Sequence, residues 1–212
     1  MNPRGGPGPP LFLRNRFRTM PITRRLALFA FAAALAGCAS APLSQSTVAD
    51  YRETIELSGR LSVNYQKDGQ PDSLNGNFTW SQQPGRIDVA LSSPFNQIAA
   101  ISVTPQQATL TQAGREPLTA QDIDTLTAQA LGWQLPVAGL RDWLQGYAIG
   151  ADGQRFAASP ANNSVYTKDG WRLRFASWQD ETAPQPKPRR IDAARTTAAG
   201  ELEIRIVIDP AA

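Results

Sequence analysis

The sequence predicts a mainly β domain, a strongly bent antiparallel sheet with two short covering helices. Three observations lead there. From Ile55 to Tyr65 the chain alternates strictly, with Ile55, Leu57, Gly59, Leu61, Val63 and Tyr65 on one face and Glu56, Ser58, Arg60, Ser62 and Asn64 on the other. Turn signals then recur about every dozen residues, the spacing of an antiparallel meander. Between Thr119 and Gly146 the apolar period lengthens from two to that of a helix.

Each element follows in order. Ala39 to about Asp50 is small and polar and reads as a tether, with a short helix over Ser46–Glu53. After the first strand, Lys67-Asp68-Gly69 supplies a turn. The return strand sets Leu74, Gly76, Phe78 and Trp80 against Asn75, Asn77 and Thr79. Pro84-Gly85 turns the chain into a strand lined by Ile87, Val89 and Leu91. Beyond Ser92-Ser93-Pro94-Phe95-Asn96-Gln97, a fourth strand runs through Ile98, Ile101 and Val103. Thr104-Pro105-Gln106 leads to a fifth at Ala108–Gln112. Thr119 is a candidate N-cap for a helix carrying Ile123, Leu126, Ala130 and Leu131, which Gly132 is placed to end. Pro136 starts a second helix with Leu140, Trp143 and Leu144 on one face and Gly146 as its stop. Strands resume at Val165–Lys168 and Trp171–Trp178 around an Asp169-Gly170 turn. A proline-rich loop (Pro184, Pro186, Pro188) precedes strands at Arg189–Arg195 and around Leu202, Ile204, Ile206 and Ile208. The count is nine to eleven strands.

The N-terminal region has a different purpose. Arg24 and Arg25 precede an apolar run from Leu26 to Gly37, twelve residues long, the length of a secretory signal's apolar core and too short to span a bilayer as a helix. It ends in Leu35-Ala36-Gly37-Cys38, and Cys38 is the chain's single cysteine. The pattern resembles the lipobox of bacterial lipoproteins, whose cysteine is acylated, and the division expected is a signal peptide at 1–37, a lipidated tether with a short helix at 38–53, and one β domain at 54–212. A start at Met20 would give a more ordinary signal and would leave 1–19 as a mis-called extension; the sequence leaves both starts open.

Charge and composition narrow the chemistry. The +3 net charge includes six arginines in residues 1–37, a stretch with no acid; without them fifteen basic residues face eighteen acidic ones, a net −3. The basic character leaves with the signal and gives no reason to expect nucleic acid as a partner. No histidine is present, and with Cys38 lipidated no thiol remains, which removes the commonest base, metal ligand and nucleophile activation schemes. No catalytic residue, metal or cofactor is expected. A carboxylate-only hydrolase acting through Asp142 or Asp88 is the remaining enzymatic reading, and neither has a persuasive acidic partner in sequence.

The order of elements and several local motifs resemble the LolB family of outer-membrane lipoproteins. The shared pieces are Leu35 to Cys38, Leu57-Ser58-Gly59-Arg60-Leu61, Phe78-Thr79-Trp80, Pro94-Phe95, Leu118-Thr119-Ala120 and Leu140-Arg141-Asp142-Trp143-Leu144-Gln145-Gly146. The resemblance implies an incomplete barrel whose concave face is an apolar cavity capped by helices. It implies acylation of Cys38 (N-palmitoyl, S-diacylglycerol) and an outer-membrane, periplasm-facing location. Its partners would be the periplasmic carrier LolA, acylated lipoproteins and outer-membrane lipid. It also implies a membrane-inserting turn with a large apolar residue, here Pro94-Phe95, where family members often have leucine followed by glycine.

Acyl chains give that function its physical logic, since each CH₂ moved from hydrocarbon to water costs about 0.8 kcal/mol. A curved sheet presenting continuous apolar rows can keep such chains dry. Leu61, Phe78, Trp80, Val89, Trp143 and Trp171 are the candidate cavity residues, with plain core packing as the alternative for each. The protein is expected to be a monomer. The rival function is a lipoprotein that senses lipids or scaffolds the envelope, binding acyl chains without passing them on.

Overall fold

In the computed structural model the described residues are 43–93, 96–131 and 134–210. Twelve strands and two helices occur among them. Ten strands form one antiparallel sheet: β1 (Ile55–Lys67), β2 (Gln70–Gln83), β3 (Arg86–Ser92), β4 (Gln97–Val103), β5 (Ala108–Gln112), β6 (Leu118–Ala120), β9 (Ser164–Tyr166), β10 (Arg172–Trp178), β11 (Pro188–Thr197) and β12 (Gly200–Ile208). Their order is β6-β5-β4-β3-β2-β1-β12-β11-β10-β9, so β1 and β12 join two meanders at the centre and the sheet ends in open edges at β6 and β9. The barrel is incomplete, as the sequence leads one to expect.

The predicted alternation is realised on both long central strands. Ile55, Gly59 and Val63 are buried on β1, and Phe78, Trp80 and Gln82 on β2, while their polar neighbours face out. Asp68 and Gly69, with φ of 52° and 75°, close the β1–β2 hairpin between Lys67 and Gln70; both positive values mark the turn whose twist matches paired strands.

The two helices are α1 (Ile123–Leu131) and α2 (Val137–Trp143). Thr119 does not cap α1, because Leu118–Ala120 is extended and pairs with β5 as an edge strand. The cap is Asp122, whose Oδ1 accepts the Thr125 N–H at 2.7 Å and whose Oδ2 accepts the Thr125 hydroxyl at 2.9 Å. Gly132 lies outside the described residues. Helix α2 starts after Pro136 as read, and Gly146 (φ +85°) turns the chain out of its last turn.

Residues 46–53 are not helical. They run as an extended strap whose polar groups are satisfied across the fold rather than locally. Val48 N–H donates to Ala158 O at 3.0 Å, Arg52 N–H to the Gln145 side chain at 2.9 Å, and the Tyr147 hydroxyl to Ala49 O at 2.7 Å. Val48 is buried, and these bonds favour extension over a short isolated helix. The strand count exceeds expectation through β6 and a separate two-stranded ribbon, β7 (Tyr147–Ile149) with β8 (Arg155–Ala157).

Candidate functional site

Six neighbouring strands, β12 and β1 to β5, contribute side chains to one apolar cavity: Ile206, Leu61, Phe78, Val89, Ile101 and Leu110 represent one strand each. Six strands laid flat would span roughly 24 Å at about 4.8 Å per neighbour. Converging on a single cavity therefore requires the sheet to curl. Leu135 from the segment between the helices and Leu140 and Leu144 from α2 and its end close the other side.

Among the seventeen described residues that line the cavity, only Gln112 and Thr127 are polar. The Thr127 hydroxyl donates to Ile123 O at 2.9 Å and accepts the Leu135 N–H at 2.9 Å, so its polarity is spent inside the α1 end. Gln112 is half-buried and takes a long hydrogen bond from Arg115 at 3.4 Å. The wall is otherwise hydrocarbon and indole. Such a lining suits an acyl chain and offers nothing that would hold a metal or activate a nucleophile.

The free volume is about 70 Å³. An apolar cavity of about 150 Å³ holds one benzene, so this space fits only a few carbons. A long chain enters only if the covering helices lift or side chains repack. A second hollow, of about 850 Å³, lies behind Trp80 and Leu144, which line both. It is bordered by the strap, Gln179 and Gln185–Pro188, and its wall mixes Asp50, Arg52, Glu56, Lys187 and Asp209 with Ile55, Leu57 and Ile208, unlike the almost wholly apolar first cavity.

The four strand residues expected in the cavity, Leu61, Phe78, Trp80 and Val89, come together in its wall. Trp143 and Trp171 do not. Trp143 shares the buried face of α2 with Leu140 but packs edge-on against Trp171, with ring centroids 5.5 Å apart. The Arg195 guanidinium lies 4.9 Å from the Trp171 ring centre. With Leu173, Phe175, Trp178 and Ile191 they are buried in the hydrophobic core without lining the cavity. Pro94, Phe95 and Cys38 lie outside the described residues.

Sequence reasoning passed over Leu140 and Leu144 as cavity residues, although their spacing put them on the buried face of α2. It also placed Ile98 in a regular strand. The pairs Leu91–Ala99 and Ser92–Gln97 leave Ile98 as an extra, bulged residue, so both it and Ala99 reach the cavity.

A hydrogen-bonded polar relay stands behind Trp80. Its indole N–H donates to Gln82 Oε1 at 3.3 Å, and Gln82 Nε2 donates to the Tyr51 hydroxyl at 2.9 Å. The same hydroxyl accepts from Arg141 Nε at 2.7 Å, and Arg141 also pairs with Glu53. Gln82 is fully buried, and the relay satisfies it while tying β2, the strap and α2 together. Burial pushes the Asp142 carboxyl up, against the pull of Arg155 and Arg141. Asp88 is held low chiefly by Arg86, 2.6 Å away. Each is accounted for by its surroundings, and neither lines the cavity.

The family described as "Outer membrane lipoprotein LolB" matches residues 53–210. The outer-membrane lipoprotein LolB of Cupriavidus necator is 39% identical over 193 residues, covering 89% of this chain and 97% of the relative. Those of Thiobacillus denitrificans and Ralstonia nicotianae are 36% and 33% identical, covering 88% and 84% of this chain and 96% and 91% of the relatives. Among solved structures, the LolA superfamily protein NE2245 from Nitrosomonas europaea aligns with a TM-score of 0.40 at 8% identity, over 76% of this chain and 86% of that one.

Proposed function

The chain belongs to the LolB family of outer-membrane lipoproteins, and from that premise we propose that it is an outer-membrane receptor that takes acylated lipoproteins from the soluble carrier LolA and releases them into the membrane. It is a trafficking protein, and its work is binding and handover rather than bond making. The observation that carries this reading is the cavity wall, apolar at fifteen of its seventeen described positions and enclosed by a curled sheet and two helices.

The energetics explain why such a wall is needed. Two or three long chains crossing water uncovered would cost roughly 25–35 kcal/mol, at about 0.8 kcal/mol per CH₂. Direction needs far less, since a preference of about 1.4 kcal/mol for the next site already shifts the distribution tenfold.

The parts outside the described residues take complementary roles. Residues 1–37 act as the export signal, Cys38 carries the lipid anchor, and the strap from Leu43 to Glu53 joins that anchor to the periplasm-facing domain. The Pro94-Phe95 turn touches the bilayer. Burying one phenylalanine contributes only about 1.5–3 kcal/mol, which orients a loop without anchoring a protein. Anchoring falls to Cys38.

The test is a reconstituted transfer. The purified protein is mixed with LolA loaded with a labelled lipoprotein, and liposomes are then added. Label is expected to move to the protein and then to the liposomes; if the protein strips nothing from the carrier, the reading fails. A lipid sensor would instead take up label and retain it in the presence of liposomes. Phe95→Glu should load normally and fail to deliver, and normal delivery would remove the turn from the mechanism.

A further inference from the structure

The cavity is not closed equally at its two ends. Trp80 and Leu144, at the end covered by α2 and the strap, are 2% and 4% exposed. At the other end Leu61 and Leu74 are half-buried and Ile98 is 37% exposed. A path from solvent to the apolar wall therefore opens beside the turn joining β3 to β4.

Ile98 owes its place there to the bulge. In an unbroken strand with Ala99 facing inward, the residue before it would face outward. The jump in register between Leu91 and Ser92 instead brings Ile98 onto the concave side, where it joins the cavity lining. Facing it on β2 is Gly76, in the same inward row as Leu74 and Phe78. A Cβ added to Gly76 would lie 3.0 Å from Ser92 O and 3.9 Å from Ile98 Cδ1. The Ser92 carbonyl crowds that position, so it takes no side chain, and the Ile98 side chain lies beside it. A partly exposed isoleucine is ordinary on a surface. One that a bulge has turned into the open end of an apolar cavity is in a position to control passage.

We propose that Ile98, with Leu61 and Leu74, forms the portal through which acyl chains of a bound lipoprotein enter and leave, with the Ile98 side chain as its gate. The proposal rests on the reading of the cavity as the acyl site. Ile98 follows Phe95, the residue assigned to the bilayer, by three positions in the chain.

Rates separate a gate from a wall. Ile98→Trp keeps the position apolar while obstructing it, and Ile98→Ala widens it. Uptake of a labelled lipoprotein from LolA and its release to phospholipid liposomes are timed by stopped flow, and the amount bound at equilibrium is measured separately. Ile98→Trp should slow both uptake and release by about tenfold, well beyond any change in the amount bound at equilibrium, and Ile98→Ala should speed both. Leu74→Trp, on the facing strand, should repeat the slowing and covers the case in which the first variant is unstable to heat. Wild-type rates in folded tryptophan variants would overturn the portal. So would a loss of equilibrium binding that matches the loss of rate, which marks a wall residue. If the wild type takes up no lipoprotein at all, the acyl-site reading itself has failed, a result distinct from either.

Discussion

Thr127 Oγ1 stands where α1 meets the cavity, and its two bonds set both the polarity of that wall and the path of the chain after the helix. Thr127→Val should leave the buried Leu135 N–H without a partner, at a cost of about 1–3 kcal/mol, read as a lower midpoint in urea. Thr127→Ser keeps the hydroxyl and should recover most of it; equal losses in both variants would mean that the methyl matters more than the bond. Asp122 offers a pH test at the other end of α1. The Thr125 N–H and hydroxyl hold its carboxyl below the usual range. A carboxylate with a depressed folded value stabilises fully above the unfolded pKa of about 3.9, and that stability is lost as pH falls through the folded value. The drop in Tm caused by Asp122→Ala should therefore be largest near neutrality and shrink in acid; a drop that does not change with pH would contradict the cap. Residues also show where sequence stops being legible. Alternation sufficed for Leu61, Phe78, Trp80 and Val89, because strand period fixes the face. Aromatic character did not suffice for Trp143 and Trp171, because a tryptophan fits a filled core as well as a cavity wall, and only the direction in which α2 presents Trp143 decides between them.

Helix α2 shows the same limits one scale up. Its start, stop and buried face follow from Pro136, Gly146 and the helical period, yet its principal partner was hidden. The strap lies against its end, with the Gln145 side chain bonded to both the N–H and the C=O of Arg52. A chain of small polar residues reads as a tether because nothing local reveals that its hydrogen-bond partners are about ninety residues away. Ribbon β7–β8 escaped notice for a related reason, since strands of three residues are too short to show a period. Gly146 joins helix and strap. Its φ of +85° is left-handed, and a Cβ there would sit 2.5 Å from Val48 Cγ1. Gly146→Ala should cost about 1–3 kcal/mol in backbone strain and also displace Val48. The expected outcome is a lower Tm with faster hydrogen exchange across residues 43–53. A strap whose exchange stays at the wild-type rate would mean that it and α2 are not coupled through this contact.

The molecule as a whole divides its one sheet between two tasks. Under β9 to β12 the inward side chains interlock, with Phe175 stacked between Phe156 and Trp178 at 6.2 Å from each. Under β1 to β5 the same kind of apolar surface leaves free volume beneath the helices. An ordinary core fills its volume, because every missing contact lowers stability. Apolar free space kept beneath the helices is therefore a stability cost that function must explain, and Ala99 tests the explanation. It lines the cavity and is buried, level with Phe78 and Leu91 in the sheet. Ala99→Leu adds three carbons to a space that holds about that many, and at about 0.8 kcal/mol per buried CH₂ it should stabilise by up to roughly 2 kcal/mol. In a domain of this size that raises Tm by a few degrees. Lipoprotein uptake should fall in the same variant, because the added side chain occupies the space that cargo needs when the helices lift. Opposite signs in stability and uptake would identify the volume as acyl space. A lower Tm with uptake unchanged would make it a packing defect, and the acyl chains would then have to be housed elsewhere on the sheet.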